Sequence, residues 1–467
     1  MSAFEAWHLP GLESLDSALE LAELRAGDVT LRYPVLRADQ VRRVMEGLRA
    51  RRESVLEQRS VRDLVRSVDA ATRLLTGAGE LREQALAMLP ETTRFSRPMV
   101  ELILDRMAAD WRAEPLERLL RAELGDPAVL DGFAPEAETG RRIRAYGPAV
   151  AFNVFAGNVP GVAVTALVRC LLVKAAVLGK TAADDPVLPV LFARALAQVD
   201  ALLASCVAVT YWPGGSSEAE DAALAAADAI VVYGGADAVR SIRARAPAGV
   251  RLLEHGPRMS LGFVARESLA APRARMLARD IALAAATFDQ HGCVSLHGVF
   301  VERGGETAAD AFARLVHEEL GALERTLPMG RLLPAEAAAF HAERGRAEFA
   351  LMGTGGFVLA DGRVGATVVY SESPDATPSC LDRLVRVSAV DDLAAALGTL
   401  GPLRALLQTA AVAAPDSRRT GLADELARAG FTRITSFATM PWPPAHWHHD
   451  GSSPLGELVR WVDLEDG

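Results

Sequence analysis

The sequence predicts an α/β protein of more than one domain, and three observations carry that prediction. Its 467 residues exceed what a single hydrophobic core ordinarily organises. Half of them are apolar and 24% are charged, the balance of a globular chain with a large core to bury. From about residue 142, short apolar runs alternate with helical patterns, the rhythm of a parallel sheet covered on both faces. The expected organisation is a helical N-terminal segment plus a parallel-sheet domain over 1–258, the sheet itself over about 142–258. A second α/β domain follows over 259–440. A C-terminal segment, 441–467, is expected to pack back on the first domain or to serve an oligomer interface.

Taken in order, the N-terminus is acidic and lacks a basic stretch before an apolar run, so no signal peptide is expected. Between about Leu36 and Leu124 the pattern is helical. Val41, Val44, Met45 and Leu48 repeat at i, i+3, i+4 and i+7. Ser60 with Asp63 makes a capping box for a helix whose apolar face is Val61, Leu64, Val65 and Val68. The arginines there form a solvated face.

"PAVAFNVF" then reads as a buried strand, Val162–Leu172 as a helix and "KAAVLG" as a strand. Pro186–Asp200 reads as a helix, "CVAVTYW" as a strand, Glu218–Ala227 as a helix and "AIVVYGG" as a strand. Ala236–Arg245 is helical and "VRLLEHG" closes the series. Ligands of such sheets bind at the carboxyl ends of the strands. In the second domain a helix over about Arg273–Ala286 leads through "TFDQHGCVS" to the strand "HGVFVE".

Composition excludes several classes. A net charge of −10 argues against broad nucleic-acid binding. The most apolar run, Gly161–Gly179, is broken by Arg169 and Lys174, so a buried helix and strand explain it better than a membrane span. The four cysteines form no CxxC pair and read as free thiols of a cytoplasmic protein. His446, His448 and His449 cluster near the C-terminus but lack the spacing of a zinc site, and no metal is expected.

The residues with chemical potential fall at strand ends. The only two asparagines, Asn153 and Asn158, and the only two lysines, Lys174 and Lys180, lie within one stretch of 31 residues, 151–181. Lys180 follows a strand, where its ammonium can reach a sugar hydroxyl or phosphate, or simply face solvent. Asn158, in "AGNVPG", can cap the following helix or stabilise an oxyanion. Gly234 and Gly235 separate a strand from a helix and let a backbone approach a pyrophosphate. Glu254 ends a strand and can act as a general acid or base, or be a surface carboxylate. Cys293 lies in a polar loop, a better place for a reactive thiol than Cys170 in its apolar helix, though a partly buried inert thiol is the bland alternative.

These residues occur in one order, with intervals of 22, 74 and 39 residues from Asn158 to Lys180, to Glu254 and to Cys293. That order resembles the aldehyde dehydrogenase superfamily. The motifs "AGNVPG", "KTAADDP", "FDQHGCVS" and "HDGSSPLGELVRWVDLE" resemble more narrowly the LuxC-type acyl-CoA reductases. The resemblance implies an aldehyde-dehydrogenase-like fold, with a Rossmann-type cofactor domain and a catalytic domain. It makes Cys293 the nucleophile and Asn158 the group that polarises the acyl oxygen. Lys180 and Thr181 would hold the cofactor ribose, and the Gly234–Gly235 turn the pyrophosphate. Ala183 stands where NAD-using relatives often place an acidic residue. Its small side chain leaves room for a 2′-phosphate, so NADPH is expected over NADH. No counterpart of a second ribose-binding glutamate is evident near Cys380.

The implied reaction is reduction of a long-chain fatty acyl-CoA to the aldehyde through an acyl-cysteine, with Glu254 assisting proton transfer or tuning Cys293. A homo-oligomer and an acyl-protein synthetase or transferase partner are also expected. The alternatives are a CoA-acylating dehydrogenase of short aldehydes, a cofactor-independent cysteine acyltransferase or hydrolase using His291 or His255, and a non-catalytic acyl-binding subunit.

Overall fold

Every side chain of Val150–Val154 (β1) is buried, and so is every one of Ala176–Thr181 (β2), Val207–Tyr211 (β3) and Ala229–Tyr233 (β4). Strands with no polar face require cover on both sides, which is why these runs lack the alternation of a half-exposed sheet. With Arg251–His255 (β5) they form a parallel sheet in the order β5-β4-β1-β2-β3. The order reverses between β1 and its neighbours β2 and β4. At such a switch point the connections leave on opposite faces and open a crevice at the strand carboxyl ends.

The computed structural model describes residues 3–11, 19–215, 217–362 and 364–465. They divide into two units, one of Met1–Thr93, Val100–Gly256 and Pro444–Gly467, the other of Arg94–Met99 and Pro257–Pro443.

In the first unit the helical N-terminal segment supplies cover for the sheet. Val41, Val44, Met45 and Leu48 are buried along the helix Ala38–Arg51, which packs against Glu218–Ala226. Val61, Leu64, Val65 and Val68 are buried along Val61–Thr76, which packs against Leu188–Val199. Ser60 accepts the Asp63 N–H, so this helix starts where the cap residue directs. The segment is not helical throughout. Leu21–Ala26 and Val29–Pro34 form an antiparallel hairpin, joined by Phe4–Glu5 parallel to Val29–Pro34. Gly27, at φ 56°, supplies the left-handed turn that hairpin needs. The backbone of His8 exchanges two hydrogen bonds with Val209, covering the β3 edge. Near the C-terminus, Arg460–Leu464 pairs antiparallel with Arg142–Tyr146 in a separate three-stranded sheet.

The second unit is built on seven strands. In chain order they are Met259–Val264 (β6), Leu296–Glu302 (β7), Phe357–Leu359 (β8), Thr367–Ser371 (β9), Leu384–Val390 (β10), Leu407–Ala413 (β11) and Arg433–Thr435 (β12). Their order in the sheet is β8-β9-β10-β7-β6-β11-β12, with only β8–β9 antiparallel. Period-two alternation sends their side chains into two cores. Val385, Val387 and Ala389 join one, covered by the helices Ala271–Ala286 and Ala309–Leu323. Met259, Leu261, Phe263 and Val412 join the other, with Leu422 and Leu426 of the helix Asp416–Ala429. Among the described residues no helix is long and apolar enough to cross a membrane.

Candidate active site

Beyond β1 the chain runs through Phe155–Gly161 into the helix Val162–Leu172. The N-cap position of this helix is Gly161, at φ 99°, three residues beyond Asn158. Asn158 stands exposed in that loop. A Cβ at Gly157 would lie 2.8 Å from the Asp184 Cβ and 3.1 Å from the Ala182 Cβ. The Asn158 loop and the loop after Lys180 are therefore in close contact, and only glycine fits between them.

Lys180 and Thr181 lie within β2 rather than after it. Lys180 pairs with Val154 on one side and Thr210 on the other, and this two-sided pairing extends the strand through its carboxyl end. Lys180 is buried, so the solvated alternative does not hold. Burial lowers its pKa, the Glu220 carboxylate acts against that shift, and Arg245 acts with it. Thr181 is turned into the sheet, its hydroxyl donating to Thr210 O at 3.3 Å. Ala183 is exposed, and Asp185, two residues on, is buried and accepts the backbone N–H groups of Leu188 and Gly161. Burial pushes the Asp185 carboxyl up to about 7.

At the end of β4 the Gly234 N–H donates to His255 O at 3.1 Å. Gly235 caps the exposed start of the helix Ala236–Arg245, with nothing within 4 Å of the Cβ it lacks. An anion can approach this helix start along its backbone. Glu254, near the end of β5, is held in an ion pair by Arg243, with one contact at 2.7 Å and a second shorter. A role as general base therefore requires that pair to open.

The other two unusual residues have structural duties. The Asn153 amide of β1 donates to Cys170 Sγ of the helix Val162–Leu172 at 3.5 Å. Lys174 holds a left-handed turn at φ 59° and pairs with Asp131 at 2.7 Å. His449 joins His255 and Asp450, whereas the sequence had offered His446 and His448 beside it. His255 Nδ1 lies 2.8 Å from Asp450, and the two imidazoles stack at 4.3 Å and 11°. One ligand-type atom from each of His255, His449 and Asp450 lies within 4.8 Å of the other two, so the group could hold a metal ion.

Cys293 belongs to the second unit. The helix Ala271–Ala286 ends in a tight turn where Phe288, Asp289 and Gln290 all have left-handed φ, at 58°, 46° and 67°. Cys293 follows, half-buried, just before β7. Across from it, ahead of β10, Leu381, Asp382 and Arg383 are also left-handed, at 75°, 56° and 64°. The two turns are locked together. Asp382 N–H donates to Asp289 O at 3.0 Å, and the fully buried Arg383 donates to Asp289 Oδ1 at 2.7 Å. Gln290 Nε2 donates to Leu296 O at 2.8 Å and to Leu384 O at 2.9 Å, tying the turn to both strands. His291 sits 3.0 Å from Asp382. The Cys293 carbonyl accepts from Ser260 Oγ at 2.9 Å.

Burial pushes the other three thiols up, Cys170 and Cys206 to about 12 and Cys380 to about 11. None of those is a competent thiolate near neutral pH. Sequence reasoning missed the supports: Glu220, Arg245 and Asp185 near Lys180, and Ser260, Asp289, Asp382 and Arg383 around Cys293. Asp289 and Arg383 lie 94 positions apart, and no local pattern links them. The "TFDQHG" run between helix and strand was the one local signal of an unusual turn.

Known proteins share the family and the fold of this chain. A family model described as "Acyl-CoA reductase (LuxC)" matches residues 56–461. The long-chain acyl-protein thioester reductase of Aliivibrio fischeri is 27% identical over 374 residues, 77% of this chain and 74% of that one. The protein of the same name from Vibrio harveyi is 24% identical, over 81% of this chain and 76% of its own. Among solved structures, aldehyde dehydrogenase 21 from Physcomitrella patens superposes with a TM-score of 0.77 at 10% identity, covering 99% of this chain and 98% of that one. An NAD-dependent benzaldehyde dehydrogenase from Corynebacterium glutamicum gives 0.74 at 17% identity, with both chains fully covered. The fold is that of the aldehyde dehydrogenases.

Proposed function

The chain belongs to the LuxC acyl-CoA reductase family, and from that membership we propose that it reduces a long-chain fatty acyl thioester to the aldehyde through an acyl-cysteine at Cys293. The observation that carries this reading is the Cys293 loop. Two left-handed turns and a buried ion pair fix it, and the other three thiols are disabled by burial. Backbone strain of this kind persists only where its surroundings enforce it.

The Cys293 thiolate forms a bond to the acyl carbon, the donor's C–S bond breaks, and its thiol leaves with the proton given up by Cys293. Asn158 is assigned to the acyl oxygen, as the resemblance implies. The donor is an acyl-CoA or an acyl-protein, which share the reacting thioester. The names of the Aliivibrio and Vibrio relatives favour the acyl-protein, supplied by a synthetase or transferase partner.

The first unit suits a nicotinamide dinucleotide. Its strand order, the buried lysine at the end of β2 and the open glycine turn after β4 are the groups such a ligand uses. When bound, the reduced dinucleotide supplies the hydride that converts the acyl thioester to the aldehyde. Lys180 would hold its ribose and the Gly234–Gly235 turn its pyrophosphate. The small, exposed Ala183 favours NADPH over NADH. Glu254, released from Arg243, is assigned proton transfer to the departing thiol.

The test is acylation without nucleotide. Labelled palmitoyl-CoA should acylate the wild type on the peptide carrying Cys293, as read by mass spectrometry. Cys293→Ala should take up no label and retain its circular dichroism. Label persisting in that variant removes Cys293 as the acyl acceptor.

A further inference from the structure

We propose that the Arg433 guanidinium is the positive charge that favours the thiolate of Cys293, acting as a positioning residue for the acyl acceptor. The inference rests on the reading of Cys293 as that acceptor. Two separate routes through the second unit link Arg433 to the cysteine loop.

The first route runs across the sheet. The Cys293 carbonyl accepts from Ser260 Oγ on β6 at 2.9 Å, and the same oxygen accepts the Thr409 N–H of β11 at 3.1 Å. Thr409 stands in register with Arg433, the first residue of β12. One hydroxyl thus couples the cysteine backbone to the residue opposite Arg433. The second route runs through the chain beyond β12. The guanidinium donates to Thr439 O at 2.8 Å and to Met440 O at 2.7 Å, turning that segment back on itself. Phe437 within it closes over Gly262, where a Cβ would meet its ring at 2.5 Å. Trp442, two residues past Met440, sets its ring edge-on to Phe288 at 5.2 Å. Phe288 in turn lies 2.9 Å from where a Gly292 Cβ would stand, one residue before Cys293.

The electrostatics agree. Burial lowers Arg433 to about 10, and Cys293 acts against that shift. At neutral pH the guanidinium remains charged. The other ionisable groups around the loop are largely committed. Asp289 is paired with Arg383, and His291 lies against Asp382. His297 on β7 is kept neutral by burial, at about 4, with His291 adding to that shift. A cation close to a thiol lowers its pKa, and a guanidinium that stays charged at neutral pH does so there.

The test uses the full-length protein and the pH dependence of Cys293 alkylation by iodoacetamide, followed on its peptide by mass spectrometry. Arg433→Gln retains donors for the two carbonyls and loses the charge. Arg433→Lys keeps the charge and loses the paired geometry. The expected result is an alkylation midpoint raised by ~1–3 pH units in Arg433→Gln, with Arg433→Lys close to wild type. An unmoved midpoint in Arg433→Gln, or equal shifts in both variants, overturns the proposal, since a purely structural role would treat the two alike. If Arg433→Gln fails to fold by circular dichroism, Arg433→Lys carries the test, and a raised midpoint there is the overturning result. Alkylation reports the thiolate whether or not Cys293 accepts acyl groups. Failure of the acylation experiment and failure of this one are therefore distinguishable.

Discussion

Replacing Arg383 by methionine should cost the second unit about 3–5 kcal/mol, the range for removing one partner of a buried ion pair. Arg383 has no exposed surface and makes three kinds of contact. It donates to Asp289 Oδ1 at 2.7 Å, to Glu324 Oε2 at 2.8 Å and to Leu327 O at 2.8 Å. The Glu324 contact contributes little, because that carboxylate is 44% exposed and rehydrates. Asp289 carries the cost. It stays buried, keeps the Gly330 N–H at 3.0 Å and loses its counter-charge. Burial already raises its pKa while Arg383 opposes the rise, so the variant would protonate it, which caps the penalty.

At ~2–4 °C per kcal/mol for a unit of this size, the loss corresponds to a fall of ~6–20 °C in melting temperature by calorimetry. The left-handed turn Phe288–Gln290 should relax as well, slowing iodoacetamide alkylation of Cys293. Asp289→Leu combined with Arg383→Met should recover part of the stability, since an apolar pair leaves no buried charge. A single variant melting within about 2 °C of wild type, with alkylation unchanged, would refute the idea that this pair holds the cysteine loop.

Two further predictions concern the first unit. Lys180→Ala should weaken NADPH binding at least tenfold by fluorescence titration, the loss expected for one charged hydrogen bond to a ligand of about 1.5–3 kcal/mol. An unchanged dissociation constant for both NADPH and NADH would remove the cofactor assignment. Asp185, raised to about 7 in the fold, holds a proton that the unfolded chain releases near its ordinary carboxyl pKa of 3.8. Its contribution is complete below about pH 4 and is lost as pH rises towards 7, at up to ~1.4 kcal/mol per unit. Asp185→Asn should flatten that part of the stability profile, and urea unfolding at pH 5 and pH 8 checks it. An equal pH dependence in variant and wild type counts against the raised carboxyl.

Where the sequence pattern was long and periodic, it located the elements to within a few residues. Val162–Leu172 and Ala236–Arg245 have the expected bounds, and Ser60 starts the helix it was expected to cap. The hairpin Leu21–Pro34 was missed because its alternation is short and its only signal is Gly27 with Asp28. Lys180 was placed just past a strand because its charge suggests an exposed end, whereas pairing on both sides buries it. Asn153 and Lys174, unexplained in sequence, turn out to serve a buried thiol and a helix end.

Local patterning by itself thus determined the alternating architecture, the parallel sheet and the chemical identity of the candidate groups, because periodicity and turn chemistry are written within a few residues. Only the tertiary structure decided which groups are restrained. The Asp289–Arg383 lock joins two left-handed turns 94 positions apart, and Ser260 Oγ links the Cys293 carbonyl to Thr409, more than a hundred positions further along the chain. Such contacts arise from strand order and burial, which no local pattern encodes.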